Sequence, residues 1–225
     1  MKTTQTIYNR LSKNSVLAGS QTSYVENGIY VLTNLEETIM EKVNLPDGAY
    51  EMISGKLYRT GKYDEDRVIP KPFEENLSIP KQFSLDVLEL SQMVGNDELR
   101  PIMNAILFDK ENVVSTDAHI MRWKQNQTSF QGMIKPYPAM LDLMKKVDFT
   151  LIWEDEKSYM LESDEVKYIF NKVEGQYPNY KAVIPAVDSY TKAFRFEAKA
   201  IKDFAKVSKG INEVTNSFVK VENNL

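Results

Sequence analysis

Between residues 70 and 80 the chain reads Pro70-Lys71-Pro72-Phe73-Glu74-Glu75-Asn76-Leu77-Ser78-Ile79-Pro80. Prolines in a polar run remove backbone donors and fix φ, which denies the segment both a helix interior and a central strand. It therefore separates two units. A second break follows Pro185, where Ala186-Val187-Asp188-Ser189-Tyr190 leads into Thr191-Lys192-Ala193-Phe194-Arg195-Phe196 and then a helical pattern. Cuts near residues 75 and 187 give a short first unit (1–75), a full middle unit (76–187) and a partial third (188–225).

A chain of 225 residues can bury a core without covalent staples. It contains no Cys, so a disulfide framework, a thiolate metal site and thiol redox chemistry are all excluded, which suits a reducing compartment. The start, Met1-Lys2-Thr3-Thr4-Gln5-Thr6-Ile7-Tyr8, lacks the apolar stretch of a secretion signal. No segment reaches the roughly 18 apolar residues of a membrane span. The expectation is a soluble, cytoplasmic protein with no membrane partner. The formal charge of -4 argues against a uniformly basic coat for nucleic acid, because such binding draws its affinity from neutralising phosphates. A basic channel inside an acidic shell stays open.

Short internal echoes suggest duplicated units. Val68-Ile69-Pro70 returns as Val183-Ile184-Pro185, and Glu26-Asn27-Gly28 to Asn34 resembles Glu111-Asn112 to Asp117 at a shorter spacing. Phe196 to Lys206 resembles Phe83 to Met93, and Phe218 to Leu225 resembles Ile106 to Val113.

Within the middle unit, Phe83 to Val94 places apolar residues at helical spacing and ends at Gly95-Asn96, a fitting C-terminal signal. Ile106-Leu107-Phe108 and Val113-Val114 flank the polar Asp109-Lys110-Glu111-Asn112 as a hairpin. Pro138 to Val147 reads as a second helix, with proline in the first turn where its missing N–H costs little. Phe149 to Trp153, Ser158 to Leu161 and Val166 to Phe170 read as strands of a meander. Two helices against many antiparallel strands is an α+β pattern.

His119 is the only histidine and stands beside Asp117. A single His without Cys makes a poor transition-metal site, which ordinarily gathers several N or S ligands. A hydrolase built on the pair would need a nucleophile, and nothing nominates one. The alternative is a turn after a strand, with Asp117 capping backbone N–H groups and His119 packed nearby. No P-loop, nucleophile elbow or metalloprotease helix is present. We expect no catalytic residues, no metal and no cofactor. Trp123 and Trp153 lie in strand patterns and read as core or edge packing, and the methionines as core filling.

Three segments carry a resemblance. Leu99-Arg100-Pro101-Ile102-Met103-Asn104-Ala105-Ile106-Leu107-Phe108, Ser115-Thr116-Asp117-Ala118-His119-Ile120-Met121 and Glu174-Gly175-Gln176-Tyr177-Pro178-Asn179-Tyr180-Lys181-Ala182-Val183-Ile184-Pro185 resemble, in order and separation, motifs of the bacterial replicative sliding clamp, the beta subunit of DNA polymerase III. The family patterns run approximately R-x-x-L-N-G-hydrophobic-F, T-D-G-H-R-L and G-x-F-P-D-Y-x-x-V-hydrophobic-P. The resemblance implies DNA-clamp-like domains, with helices packed on antiparallel sheets, in a non-enzymatic processivity factor. Such a protein encircles double-stranded DNA as a homo-oligomeric ring and holds DNA polymerase and clamp-loader peptides in a hydrophobic cleft.

Carried over residue by residue, that cleft comprises Met103, Thr116, Ala118, His119, Ile120, Met121, Pro178, Ala182 and Val183. Adaptable apolar anchors of this kind suit an extended hydrophobic peptide. The turn and cleft readings of residues 116–121 are compatible. This chain departs from the family at Ala118, where the pattern has Gly, at Ile120, where it has Arg, and at Ala182, where Arg is common. The pocket thus loses polar rim groups. The family completes the cleft from the last strands of its third domain, which the resemblance does not reach, so weakened binding or substitution by other residues is expected.

The resemblance also implies that helices line the ring and hold phosphates with Lys and Arg. The candidates are Arg100, Arg122, Lys124, Lys145 and Lys146, with Lys199, Lys202 and Lys206 on a locally basic third-unit helix. Tyr137 stands where the family often has a basic residue. The flanking units together amount to about one more domain, so a ring is expected to be trimeric. The competing reading is a reduced clamp-like peptide-binding module that does not encircle DNA. The strands near Tyr168 and Phe218 are expected to be sheet edges, and the two readings differ in whether those edges are paired between subunits, since an unpaired apolar edge is an aggregation liability.

Overall fold

The computed structural model describes residues 17, 22–53, 56–62, 73–184, 197, 199, 200, 202 and 203. The chain forms two compact units, Met1–Tyr177 and Pro178–Leu225.

The larger unit opens with β1 (Thr22–Glu26) and β2 (Ile29–Thr33), joined by Asn27 and Gly28 at φ 51° and 73°. Both residues sit in the left-handed region, as a two-residue hairpin turn matched to strand twist requires. Strands β3 (Glu37–Lys42), β4 (Gly48–Ile53) and β5 (Lys56–Gly61) follow. After the proline-rich segment come β6 (Glu75–Ser78), α1 (Lys81–Leu90), β7 (Ile106–Phe108), β8 (Asn112–Thr116) and β9 (Met121–Gln125). The order then recurs: β10 (Gly132–Ile134), α2 (Pro138–Met144), β11 (Leu151–Glu154), β12 (Ser158–Glu162) and β13 (Val166–Asn171). The helix read as far as Val94 ends at Leu90 and continues as a 3-10 turn over Ser91–Met93.

The middle of the chain is therefore a β-α-β-β-β motif made twice, and the two copies exchange their first strands. β6 pairs with β11 of the second copy, and β10 pairs with β7 of the first. The sequence echoes pointed to repeats between units, whereas this one lies inside the middle unit and left no readable echo. All pairings are antiparallel. One sheet has the order β10-β7-β8-β9, and the other runs β5-β4-β1-β2-β3-β13-β12-β11-β6. Among the described residues, two sheets and few helices give a mostly-sheet structure within the α+β class.

In the nine-stranded sheet, β13 pairs with β12 on one side and with β3 on the other, placing Tyr168 opposite Ile39 and Leu161. This corrects the expectation of a sheet edge near Tyr168: its strand is interior. The physical reason is that an alternating apolar pattern reports the face a strand buries, here Val166, Tyr168 and Phe170, and not which of its margins are paired. Phe218 and Lys206 lie outside the described residues.

Both helices bury an apolar stripe. On α1 it consists of Phe83, Val87 and Leu90, and on α2 of Ala139, Met140, Leu143 and Met144. The helices contact each other, and α1 also contacts β8. A train of aromatic rings ties the layers together. Phe83 stacks on Phe108 at 5.1 Å, Phe130 meets both edge-on, Tyr159 follows at 5.3 Å from Phe130, and Phe170 and Tyr168 complete the run. Edge-to-face and offset contacts of this kind add to the apolar burial. At its end the Tyr168 hydroxyl donates to buried Glu37 on β3.

One turn design recurs. Asn34, Asp109, Asp117 and Asp155 each offer Oδ1 to the backbone N–H groups two and three residues on, at 2.6–2.8 Å. The Ser163 hydroxyl does the same more loosely, at 3.4 and 3.0 Å. These side chains imitate a backbone turn and fix strand register from within the loop.

Candidate functional site: a turn and its neighbours

Residues 116–121 close β8 onto β9. Besides the two bonds to Asp117, the Thr116 hydroxyl donates to the Ile120 carbonyl at 2.8 Å and accepts from the Ala118 N–H at 3.1 Å. Ala118 has φ 75°, a left-handed conformation that costs an L-residue about 1–2 kcal/mol and Gly almost nothing. The position where the sliding-clamp pattern has Gly is therefore one whose backbone asks for it. The bonds from Ile120 and His119 hold the Asp117 carboxyl below its ordinary range.

This geometry is that of the expected turn. The Asp117 carboxylate accepts from backbone N–H groups, as in the sibling turns at Asn34, Asp109 and Asp155, whereas His119, expected to pack nearby, is exposed. Among the described residues, no group of three His, Cys, Asp or Glu side chains is placed to hold a metal ion. The Asp117–His119 segment is structural turn chemistry that displays its side chains. His119 and Ala118 are exposed, Ile120 is 59% exposed, and Met121 and Thr116 are half-buried.

Met103 lies in the 3-10 turn Pro101–Asn104, which contacts β8. The Asn104 side-chain amide grips the backbone of Asp97 both ways, at 3.0 and 3.1 Å, and the Gly95 N–H donates to the Met103 carbonyl at 2.9 Å. Gly175 has φ 113°, a conformation that strains an L side chain, and a Cβ there would also lie 3.1 Å from Ile102 Cδ1, so the position favours the glycine the motif supplies. Tyr177 is buried at the end of the unit, its hydroxyl pushed up to about 12 by burial. Thus the predicted cleft residues within the larger unit divide into one ordered turn, residues 116–121, and one braced 3-10 turn carrying Met103.

The remaining residues predicted for the cleft belong to the smaller unit. There Tyr180–Val183 form a 3-10 turn, with Pro178 half-buried, Ala182 exposed and Val183 68% exposed.

Most cations nominated for phosphate binding in the larger unit have carboxylate partners. Arg100 pairs with Asp97 at 2.7 Å and Lys145 with Asp142 at 3.1 Å. On β9, residues 122 and 124 point to the same side of the sheet. Arg122 meets Glu89 of α1, and Lys124 meets both Asp86 at 2.7 Å and Glu89 at 2.9 Å. Asp86 is fully buried and also accepts from Gln82 Nε2 at 2.7 Å. Hydrogen bonds from Lys124 chiefly hold the Glu89 carboxyl below its ordinary range, and Asp86 chiefly raises Lys124. Lys146 is exposed, as are the helical Lys199 and Lys202 of the smaller unit. Tyr137 is buried beneath the ammonium of Lys135, which sits 4.7 Å from its ring centre.

The Asp86–Lys124–Glu89–Arg122 network escaped the sequence reading. A signal was present: Asp86 falls among Phe83, Val87 and Leu90 on the apolar stripe of α1, where a carboxylate demands a partner. Trp123, on the opposite side of β9, is 49% exposed, and β9 is an edge of its sheet among the described residues. Trp153 is half-buried and donates to Glu162. A separate groove of about 850 Å³ lies between the β2–β3 and β11–β12 turns, lined by Leu35, Glu36, Glu74, Glu154, Glu156 and others. None of the predicted site residues lies in it. Among the described residues, no helix is long and apolar enough to cross a membrane.

No family model matches the chain, and no curated protein does. Solved structures do. A sliding clamp (DNA polymerase III subunit beta) from Bartonella birtlesii, bound to griselimycin, aligns with a TM-score of 0.67 at 15% identity over 95% of this chain and 74% of that one. The Helicobacter pylori beta clamp bound to a DNA ligase peptide gives 0.64 at 13% identity, covering 92% of this chain and 74% of that one. The beta subunit of Streptococcus pyogenes DNA polymerase gives 0.59 at 14% over 82% and 67%. The chain has the sliding-clamp fold, over two thirds to three quarters of the length of these clamps.

Proposed function

We propose that the protein is a sliding-clamp-like processivity factor, with no chemistry of its own, that encircles duplex DNA and tethers a DNA polymerase through a hydrophobic cleft. The observation that carries the reading is the ordered 116–121 turn. It displays Ala118, His119, Ile120 and Met121 in a chain whose fold is that of clamps, one of which was captured with a ligase peptide. In this reading residues 76–187 are one complete clamp domain between a shortened unit (1–75) and a partial one (188–225). Met103 and Thr116 belong to the cleft on the larger unit, and Pro178, Ala182 and Val183 are the cleft candidates of the smaller unit. The ring is a homo-oligomer, and the partners are polymerase and clamp-loader peptides in the cytoplasm. Because a ring is held by topology, its contacts with phosphate need only be loose and salt-screened.

One observation favours a second reading, a peptide-binding module that does not encircle DNA: Arg122, Lys124 and Lys145 already have carboxylate partners. Two measurements separate the readings. A hydrophobic clamp-binding peptide is expected to retain the protein on beads, and the protein is expected to stay on closed circular duplex but run off the same DNA once linearised. Peptide capture without retention on circles, with a monomeric mass in solution, supports the module. Failure of both assays sinks the clamp reading.

A further inference from the structure

Glu89 holds two of the cations that the motif reading assigned to DNA. One of its carboxylate oxygens takes Arg122, and the other takes the Lys124 ammonium at 2.9 Å. The two cations differ in what else restrains them. Lys124 is also bound to fully buried Asp86, so it stays where it is if Glu89 is removed. For Arg122, whose side chain is 45% exposed, Glu89 is the ion-pair partner found, and water reaches the pair. A similar arrangement recurs after α2, where Asp142 holds Lys145 at 3.1 Å beside exposed Lys146.

A carboxylate and a phosphate offer a cation the same thing, an anionic oxygen that accepts a charge-assisted hydrogen bond, and here Arg122 uses one Glu89 oxygen while Lys124 takes the other. We infer that Glu89 is an internal stand-in for a DNA phosphate: it occupies Arg122 in the free protein, and a backbone phosphate binds there only by displacing it. Binding then exchanges one ion pair for another and gains little, so contacts with duplex stay weak and short-lived. Asp142 plays the same part for Lys145. This rests on the DNA-encircling reading and adds to it the residues that set how tightly the protein holds the backbone.

The test is anisotropy of a labelled 30-base-pair duplex titrated with the full chain between roughly 25 and 200 mM salt, with Glu89→Gln as the principal variant. Each phosphate contact contributes about 0.9 to the slope of log affinity against log salt. E89Q is therefore expected to bind several-fold tighter at low salt, with a slope steeper by about 1. Adding Arg122→Gln to E89Q should abolish the gain. Glu156→Gln, the same charge change in the β11–β12 turn, should give none. An unchanged slope in E89Q overturns the inference, and so does a gain that survives in E89Q/R122Q or appears equally in E156Q. If the wild type binds no duplex but E89Q does, the inference holds while the wild type's DNA-encircling role falls. If neither binds, the inference falls. Should E89Q lose its circular dichroism spectrum, Asp142→Asn, which frees exposed Lys145, is judged by the same criteria.

Discussion

The two copies of the β-α-β-β-β motif end in strands with opposite fates. β13 alternates Val166, Tyr168 and Phe170 into the core and is paired on both margins. β9, its counterpart, carries Arg122, Trp123 and Lys124 and is paired only with β8 among the described residues. The turns before them use the same device, an oxygen capping the next N–H groups, at Asp117 and at Ser163. Equal backbones have thus been assigned to different tasks by their side chains. The buried copy holds the unit together, and the open copy displays residues to solvent.

If that division is real, truncation should cost very differently in the two strands. Phe170→Ala removes a fully buried ring from the aromatic train and should lower unfolding free energy by about 3–5 kcal/mol in a urea titration. Trp123→Ala, from a half-exposed position, should cost less than about 1 kcal/mol. Comparable losses would erase the contrast. Next in size is Lys124→Met, which leaves the buried Asp86 carboxyl facing only Gln82. Breaking a fully buried pair costs about 3–5 kcal/mol, and because Lys124 is 30% exposed we expect about 2 kcal/mol by the same titration. A loss near zero would show that α1 does not need its tie to β9.

Ala118→Gly relieves the left-handed strain in the β9-side turn, against the greater flexibility that Gly gives the unfolded chain. The net gain should be under about 1 kcal/mol, and a loss would mean that the Ala118 methyl group makes contacts worth more than the strain. The smallest effect sharpens the β13 side. Burial raises the Glu37 carboxyl above its ordinary range, against the hydrogen bond from Tyr168. The folded state therefore binds the proton more readily than the unfolded state. Stability from this group is full below the unfolded value and is lost as pH rises toward and through the raised folded value. Glu37→Gln, which keeps an acceptor for Tyr168, should melt slightly higher than wild type near neutral pH, with the gap closing as pH falls. A gap that widens on acidification would contradict the cause given.

The same contrast explains what was legible in the sequence. Strands β7, β8, β11, β12 and β13 were readable because their residues alternate or run apolar between turn-forming Asp and Ser. The helix starts were readable from Pro138 and the spacing of Phe83, Val87 and Leu90. The exchange of β6 and β10 between copies was not, because pairing partners leave no local mark in a strand that short. Nor was the pairing of β13 with β3, which depends on residues more than a hundred positions apart. Around the site, the Asp117 cap was legible as turn chemistry. The capture of Arg122 and Lys124 by α1 was hidden, since a charge in a strand looks the same whether it faces solvent or a carboxylate on a helix more than thirty residues earlier in the chain.

The seam between β3 and β13 has a consequence for how the chain is made. Glu37–Lys42 emerges from the ribosome well before Val166–Asn171, and at about 5–20 residues per second the wait lasts on the order of ten seconds. Throughout that interval the margin of β3 that β13 will cover has no partner of its own, the condition under which nascent strands pair with neighbouring chains. Rapid synthesis through residues 43–171 should therefore matter to yield more than the stability of the finished protein does.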